Sequence, residues 1–517
     1  METPVGRALL RLTGVSLVIV ATVALVAPRR ANIGYDWFVV VPTVVVALAG
    51  ALTLRVPDAL HGRWVPLVVS LAGGVVSGAL GVVMRYRFGW DARVVLDLAV
   101  RVQSGVGLRP GDYDYLSLFP NTIPLLAIDR LGVGVATTLG LRADELLIVA
   151  SAVCVAVTLY AVHALVAPVA GRGPALAAQL VTLALVGLSP WMSVPYTDLY
   201  AMPFLVGGLS LVCAAWRRGA GTGPVALGGV GIAALAVAYV IKTTPAVAVV
   251  AVALVLLLAA AERGLETRQR VGRLAAAGLA VGLFVGLASA FTAAAPPAAG
   301  VDTARIRAGA SPPVVWWFAN GLDRQVGADG VVNYGTYSRA MVDAVEGRPT
   351  AEAQDYARHY VADRWAERGP GGTLAFYGDK LVWNWGDGMF WAWGEGPDSL
   401  PERINVEGPV MGAVNTVQGF HGALYRWRAD ATQGLWLAVL LAAGLGLLRA
   451  RPRRETVLLA VTVLGIAAFT LLFQGRSRYL FTFVPVIVAL AATVHRTAPR
   501  RRGPGRADDR GLSRSTP

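Results

Sequence analysis

The sequence predicts an all-α polytopic membrane protein of about 12 to 13 transmembrane helices, with amphipathic helices in the first outer loop and an inserted extracytoplasmic domain. Three observations carry this prediction. Of the 517 residues, 55% are hydrophobic and only 15% charged, against about a quarter charged in a soluble domain. Apolar runs of about 17–22 residues, long enough to cross a hydrocarbon core, recur along the chain. The arginines gather in clusters between those runs, as in the cytoplasmic loops of membrane proteins.

In chain order, spans are expected near 9–27, 37–54, 64–84, 145–166, 174–190, 198–215, 224–241, 243–261, 272–293, 433–449, 455–474 and 479–496. No small-residue cleavage site follows the first, so it reads as a retained helix rather than a signal peptide. Between the third and fourth spans, Val95, Leu98 and Val102 recur at helical spacing. That pattern predicts an amphipathic helix on the membrane surface, starting at Asp91. The stretch Phe119–Leu139 is apolar but interrupted by Asp129 and Arg130. Counting it as a span inverts everything after it, so it is expected to be re-entrant or interfacial.

The organisation follows from these elements. Residues 1–293 form an N-terminal transmembrane module that includes the outer loop 85–118. Residues 294–432 form the extracytoplasmic domain, and 433–496 the C-terminal transmembrane helices. The basic tail 497–517 is too polar to bury a core and is expected to be disordered in the cytoplasm.

Formal charge is +14, almost all from arginine; Lys242 and Lys380 are the only lysines. With the abundant Ala, Val and Gly, this is the composition of a GC-rich, actinobacterial-type genome. Arg217 and Arg218, Arg263 to Arg273, Arg449 to Arg454, and Arg500 to Arg502 fall on one side of the span count. The positive-inside rule makes that side the cytoplasm, with both termini there. Arg29 and Arg30 fall on the other side and break the rule. No nucleic-acid-binding signature accompanies the charge, so a nucleic-acid partner is excluded. Cys154 and Cys213 both lie in spans and suggest no disulfide framework. The five histidines, His61, His163, His359, His421 and His495, form no metal-binding pair.

Candidate chemistry gathers at the outer rim. Asp91 opens the amphipathic helix, where capping and catalysis both fit. Asp97 is turned roughly 120° from it and sits between Arg93 and Arg101, which predicts a surface ion pair. Tyr113 and Asp114 lie in a polar, aromatic loop that suits acceptor contact or interfacial anchoring. Asp198 begins a span after Pro195. It is either a helix cap or a carboxylate facing a cavity. Lys242 sits at the outer end of a span, suited to snorkelling or to a phosphate. Arg476 and Arg478, beside Tyr479, lie where the positive-inside rule disfavours them, and suit a lipid-borne phosphate or ordinary headgroups. The stretch FYGDKLVWNWGDGMFWAWGEG holds Asp379, Lys380, Trp385, Asp387 and Glu395. Tryptophans beside carboxylates suit sugar contact, whereas Trp316 and Trp317 are expected to form a membrane-facing aromatic belt.

The order of these motifs resembles the GT-C superfamily of membrane glycosyltransferases, of the protein mannosyltransferase or aminoarabinose transferase kind. A first-loop carboxylate precedes an amphipathic helix and a Pro-containing turn. Then come a Pro turn with Thr-Asp, a Lys-Thr/Pro pair and a late Arg-Tyr. The resemblance spans about 85 to 496. It implies an inverting hexosyl- or pentosyltransferase that uses a polyprenyl-phosphate sugar donor. It further implies Asp91 as general base or metal-linked group, and Asp198, Lys242, Arg476, Arg478 and Tyr479 around the donor phosphate. The acceptor is expected to be a glycan, lipid or protein of the cell envelope, contacted by Tyr113, Asp114, Trp385 and Asp387. Localisation is expected at the plasma membrane with the active site outside. No cofactor is certain; a divalent metal at Asp91 is possible. The sequence departs from the family in three places: Asp91-Ala92 replaces an acidic pair, Leu118-Phe119-Pro120-Asn121 replaces the usual Tyr-Pro-Pro turn, and two extra spans precede the outer loop. A transporter, flippase or polymerase for lipid-linked saccharides is the alternative.

Overall fold

The computed structural model describes residues 3–28, 35–53, 56–57, 60, 62–84, 90–219, 221–326, 332–392 and 408–494. Arg29, Arg30, His61, residues 85–89 of the first outer loop, Glu395, His495, Arg500 to Arg502 and the tail 497–517 lie outside the described residues.

Three helices open the chain: α1 (Pro4–Val26), α2 (Trp37–Thr53) and α3 (Val65–Met84). Two shorter ones, α4 (Trp90–Gln103) and α5 (Pro110–Leu118), lead into α6 (Ile123–Leu139). A run of helices follows: α7 (Ala143–Ala170), α8 (Arg172–Thr182, continued by a π turn to Gly187), α9 (Thr197–Arg218), α10 (Thr222–Ile241), α11 (Ala246–Ala260) and α12 (Thr267–Ala299). The next segment holds α13 (Val314–Asn320), strands β1 (Arg324–Val326) and β2 (Val332–Tyr334), α14 (Arg339–Asp343), α15 (Thr350–Trp385) and α16 (Pro409–Gln418). The chain returns to the bundle through α17 (Tyr425–Arg449), α18 (Arg454–Leu472), α19 (Arg478–Phe481) and α20 (Val484–Val494).

Glycine faces set the helix directions. Gly73, Gly78 and Gly81 of α3 lie against Leu159, Ala152 and Ile148 of α7 in turn, so the two helices are antiparallel. A Cβ on Gly81 would come within 2.5 Å of the Met192 carbonyl. Small residues let helix backbones approach where lipid supplies no hydrophobic drive. The α8 helix runs parallel to α3: Gln179 donates to the Pro66 carbonyl at 3.0 Å, and Gly187 packs on Ser77. Met84, the start of α7, the end of the π turn and the start of α9 therefore share one rim of the bundle.

That frame decides the path of α6. Residues Pro120–Leu139 are long and apolar enough to cross a membrane. Gly140, at φ 67, turns the chain directly into α7, which begins on the rim that α4 also occupies. Arg130 donates to the Ala298 carbonyl at 3.0 Å at the rim end of α12, and Gly132 and Gly134 meet Leu147 and Gln103. These contacts run along the rim, beside α4 and the end of α12. Among the described residues nine helices are long and apolar enough to cross a membrane, α6 with the Pro120 turn among them, and four more are apolar but shorter.

The amphipathic α4 buries Ala92, Val95, Leu98 and Ala99. Asp97 pairs with Arg93 at 2.9 Å, whereas Arg101 turns to Asp112 at 2.6 Å. At the opposite end of the bundle Arg217 meets Glu455 at 3.8 Å and Arg273 meets Glu262 at 2.7 Å. The segment after α12 includes a short antiparallel hairpin pairing Arg324 with Tyr334. Its long helix α15 breaks at Gly369, φ 61, just before Pro370. One expectation is corrected there. Trp316 is no membrane-facing belt residue: it is fully buried, and its indole donates to the Met341 carbonyl at 2.9 Å. It forms a small separate core with Ala319, Met341, Val342, Ala353 and Ala357.

Candidate active site at the bundle rim

Four chain segments meet at this rim. The first turn of α4 supplies Asp91, whose carboxylate accepts from the Tyr115 hydroxyl at 2.8 Å and the Tyr196 hydroxyl at 3.5 Å. Burial, and then the neighbouring Asp91 charge, push both phenols up, so they remain protonated donors. The turn before α9 supplies Trp191 and Tyr196, and the first turn of α9 supplies Asp198. Lys242, just past α10, donates to Asp198 Oδ1 at 2.6 Å. Burial lowers the Lys242 ammonium from its ordinary range, and the Asp198 charge opposes that shift. Thr482 also reaches Asp198, at 3.2 Å to its carbonyl and 3.4 Å to Oδ1.

Arg478 stands at the centre. Its guanidinium lies 4.7 Å from the Trp90 ring centroid, 5.2 Å from Tyr196, 5.8 Å from Tyr479 and 5.9 Å from Trp191. The Trp191 indole is fixed by donating to the Phe390 carbonyl at 2.9 Å. Trp90 reaches its place with φ at 50, a left-handed conformation that is costly for a bulky residue. Tyr479 also faces Lys242, at 5.2 Å. Two carboxylates and two cations thus share one aromatic-walled site. Asp198 Oδ2, Thr244 Oγ1 and Arg478 Nε are buried there with no hydrogen-bond partner. Such groups usually find a protein, water or ligand partner.

The structure brings together Asp91, Asp198, Lys242, Arg478 and Tyr479. Asp198 is engaged through Oδ1 by Lys242 and stands beside that cation. Arg476 points elsewhere, 4.6 Å from the Trp391 ring. Tyr113 and Asp114 serve to pin the chain after α12. The Tyr113 ring carries Arg305 at 4.0 Å, its hydroxyl accepts from the Asp302 amide at 3.4 Å, and Asp114 pairs with Arg307 at 3.1 Å. Trp385 is buried and donates to Thr470 at 3.3 Å. Asp387 is also buried. It accepts from Ser477 at 2.6 Å, from the Met389 amide at 2.9 Å and from the Trp391 amide at 2.8 Å. Both side chains are thus hydrogen-bonded inside the protein and lie apart from the Asp91–Arg478 cluster.

The sequence reading missed Trp90, Tyr115, Trp191, Tyr196 and Thr482. Tyr115 stood in the polar loop already singled out, and Tyr196 lies two residues before Asp198. What identifies them is convergence on Asp91 and Arg478, which no local pattern encodes. For the divalent metal that the resemblance allows at Asp91, the described residues offer no full set of protein ligands. Among the described residues no three His, Cys, Asp or Glu converge. The Asp91 carboxylate is engaged by two tyrosines, and Asp198 by a lysine.

The fold and its rim site define a polytopic integral membrane protein. The chain belongs to the family described as conserved hypothetical integral membrane protein, whose profile matches residues 59–498. No curated protein matches it in sequence. Among solved structures it is similar to the archaeal oligosaccharyltransferase AglB from Archaeoglobus fulgidus, in complex with an inhibitory peptide and a dolichol-phosphate. That match has 12% identity and a TM-score of 0.42, covering 84% of this chain and 50% of the other. The apo form of the Archaeoglobus fulgidus oligosaccharyltransferase matches at 12% identity and a TM-score of 0.40, with the same coverage. The chain spans about half the length of these structures.

Proposed function

We propose that this protein is a GT-C-type glycosyltransferase that moves a sugar from a polyprenyl-phosphate donor to an acceptor on the outer face of the membrane. The observation that carries the reading is the single site shared by Asp91, Arg478 and the buried Lys242–Asp198 pair. Its chemistry is that of an inverting displacement. Asp91 takes the proton of an acceptor hydroxyl, whose oxygen attacks the anomeric carbon. The bond from that carbon to the phosphate oxygen breaks, and the phosphate leaves with the electron pair. Arg478 and Lys242 stabilise the charge that develops on it. Tyr115 and Tyr196 orient Asp91. Asp198 keeps Lys242 charged and in place.

The arginine clusters at and after the ends of α9, α11 and α17 lie at the other end of the bundle, which supports an outward-facing site by the positive-inside rule. Nucleotide sugars are absent there, so a lipid-linked donor is the consistent choice. Residues 294–432 would stand over the acceptor side.

The test is transfer of labelled sugar from a polyprenyl monophosphate to envelope acceptors in membranes carrying the full chain. Asp91→Asn should lower the rate by about 100-fold to 10,000-fold, the usual range for a lost general base. Full activity in that variant would remove the proposal.

A further inference from the structure

The segment that delivers Arg478 and Tyr479 to the site is short, Phe473 to Ser477, and almost every residue in it is tied to chain far away in sequence. Lys380, on α15, is fully buried. Its ammonium donates to three carbonyls: Gly321 at 2.6 Å, Phe473 at 2.7 Å and Leu471 at 2.9 Å. Leu471 and Phe473 flank the C-terminal end of α18, where unpaired carbonyls and the helix dipole favour a cation. Gly335, at φ 65, lies beneath: a Cβ there would come within 2.2 Å of the Gly321 carbonyl and 2.7 Å of the ammonium.

The next residues continue the tie. The Gln474 amide donates to the Trp317 carbonyl at 3.1 Å, and the Gly475 amide to the Gly335 carbonyl at 2.9 Å. The Gln474 side chain accepts from Asn320 at 2.7 Å and donates to the Tyr479 hydroxyl at 3.3 Å. Ser477 is held by Asp387. Asn320 is itself fully buried.

We propose that Lys380 and Gln474 are positioning residues for Arg478 and Tyr479, coupling the segment between α12 and α17 to the reacting site. Lys380 clamps the exit of α18 against the Gly321 turn. Gln474 carries that placement to the Tyr479 hydroxyl. Neither touches the region around Asp91, so neither is a catalytic residue. The proposal rests on the transferase reading for its kinetic arm and on geometry alone for its structural arm.

The experiment uses the purified full chain and the variants Lys380→Met, Gln474→Ala, Tyr479→Phe and the double variant of the last two. Backbone hydrogen exchange and transfer kinetics are measured on the same preparations. Lys380→Met is expected to speed exchange over residues 474–482 while α3 and α7 keep their protection. It should also lower kcat on the order of 100-fold, as a displacement of about 1 Å does. Gln474→Ala is expected to add nothing to Tyr479→Phe, because both remove one connection. Unchanged exchange over 474–482, or multiplying effects in the double variant, would overturn the proposal. If Lys380→Met does not fold, Gln474→Ala, which leaves every backbone bond of the junction in place, carries the exchange comparison. Should the wild type transfer no sugar, the transferase reading falls, and the exchange comparison still decides the positioning role.

Discussion

Asp198 and Lys242 are separated by 44 positions, yet form the most buried ion pair of the site, with side chains 3% and 9% exposed. Removing one partner of such a pair leaves an uncompensated charge. Asp198→Asn is therefore expected to lower stability by about 3 kcal/mol, and a second change, Lys242→Met, to restore most of it. The thermal midpoint of the purified protein measures both. An Asp198→Asn protein as stable as wild type would show that the pair contributes nothing. Lys242 also sets a pH dependence. Its ammonium attracts phosphate only while charged, and burial lowers its pKa despite Asp198. Transfer should fall as pH rises, beginning below the ordinary lysine value of about 10.4. Lys242→Arg should move that alkaline limb upward, since guanidinium stays protonated. An identical limb in both proteins would exclude Lys242 as its source. At this scale the sequence showed which residues were chemically unusual, such as two arginines on the wrong side and two lysines in a chain of arginines. It did not show that Asp198 pairs with Lys242, or that Asp387 accepts from Ser477 and two backbone amides. Hydrogen-bond partners belong to neighbours in space, which residue type alone does not specify.

The helices were legible to differing degrees. Long apolar runs bounded by arginines predicted α1, α7, α9 and α18 closely, because crossing a hydrocarbon core demands length and hydrophobicity together. The α6 helix satisfies the same demand, and its contacts run along the rim. Its direction is set by the Gly140 turn and by α7, packed antiparallel to α3. Two consequences are measurable. Gly81→Leu on α3 would push against the Met192 carbonyl and Ile148, costing about 1–3 kcal/mol or more. The thermal midpoint should fall, and an unchanged midpoint would contradict the close approach. For α6, single cysteines replacing Asn121 and Thr138 at its two ends, in a chain lacking Cys154 and Cys213, should react with an impermeant thiol reagent from the same face of the membrane. Labelling from opposite faces would make α6 a span.

Over the described residues, the helices carry the arginines at and after the ends of α9, α11 and α17 to one end of the bundle and the Asp91 site to the other. Arg451→Cys is expected to react from the face opposite Ser104→Cys, with Ser104→Cys reached from outside intact cells. The reverse labelling would put the site in the cytoplasm and remove the basis for a lipid-linked donor. The sequence by itself determined the membrane class, the approximate spans and the side on which positive charge collects. Those properties depend on transfer from water to hydrocarbon and on local charge, both additive along a chain. Only the tertiary structure decided that α6 packs beside α4 and the end of α12 and that Trp90, Trp191 and Tyr196 surround Arg478. It alone showed Lys380 gripping the end of α18. Each of these depends on which surfaces pack together, and packing joins residues up to hundreds of positions apart.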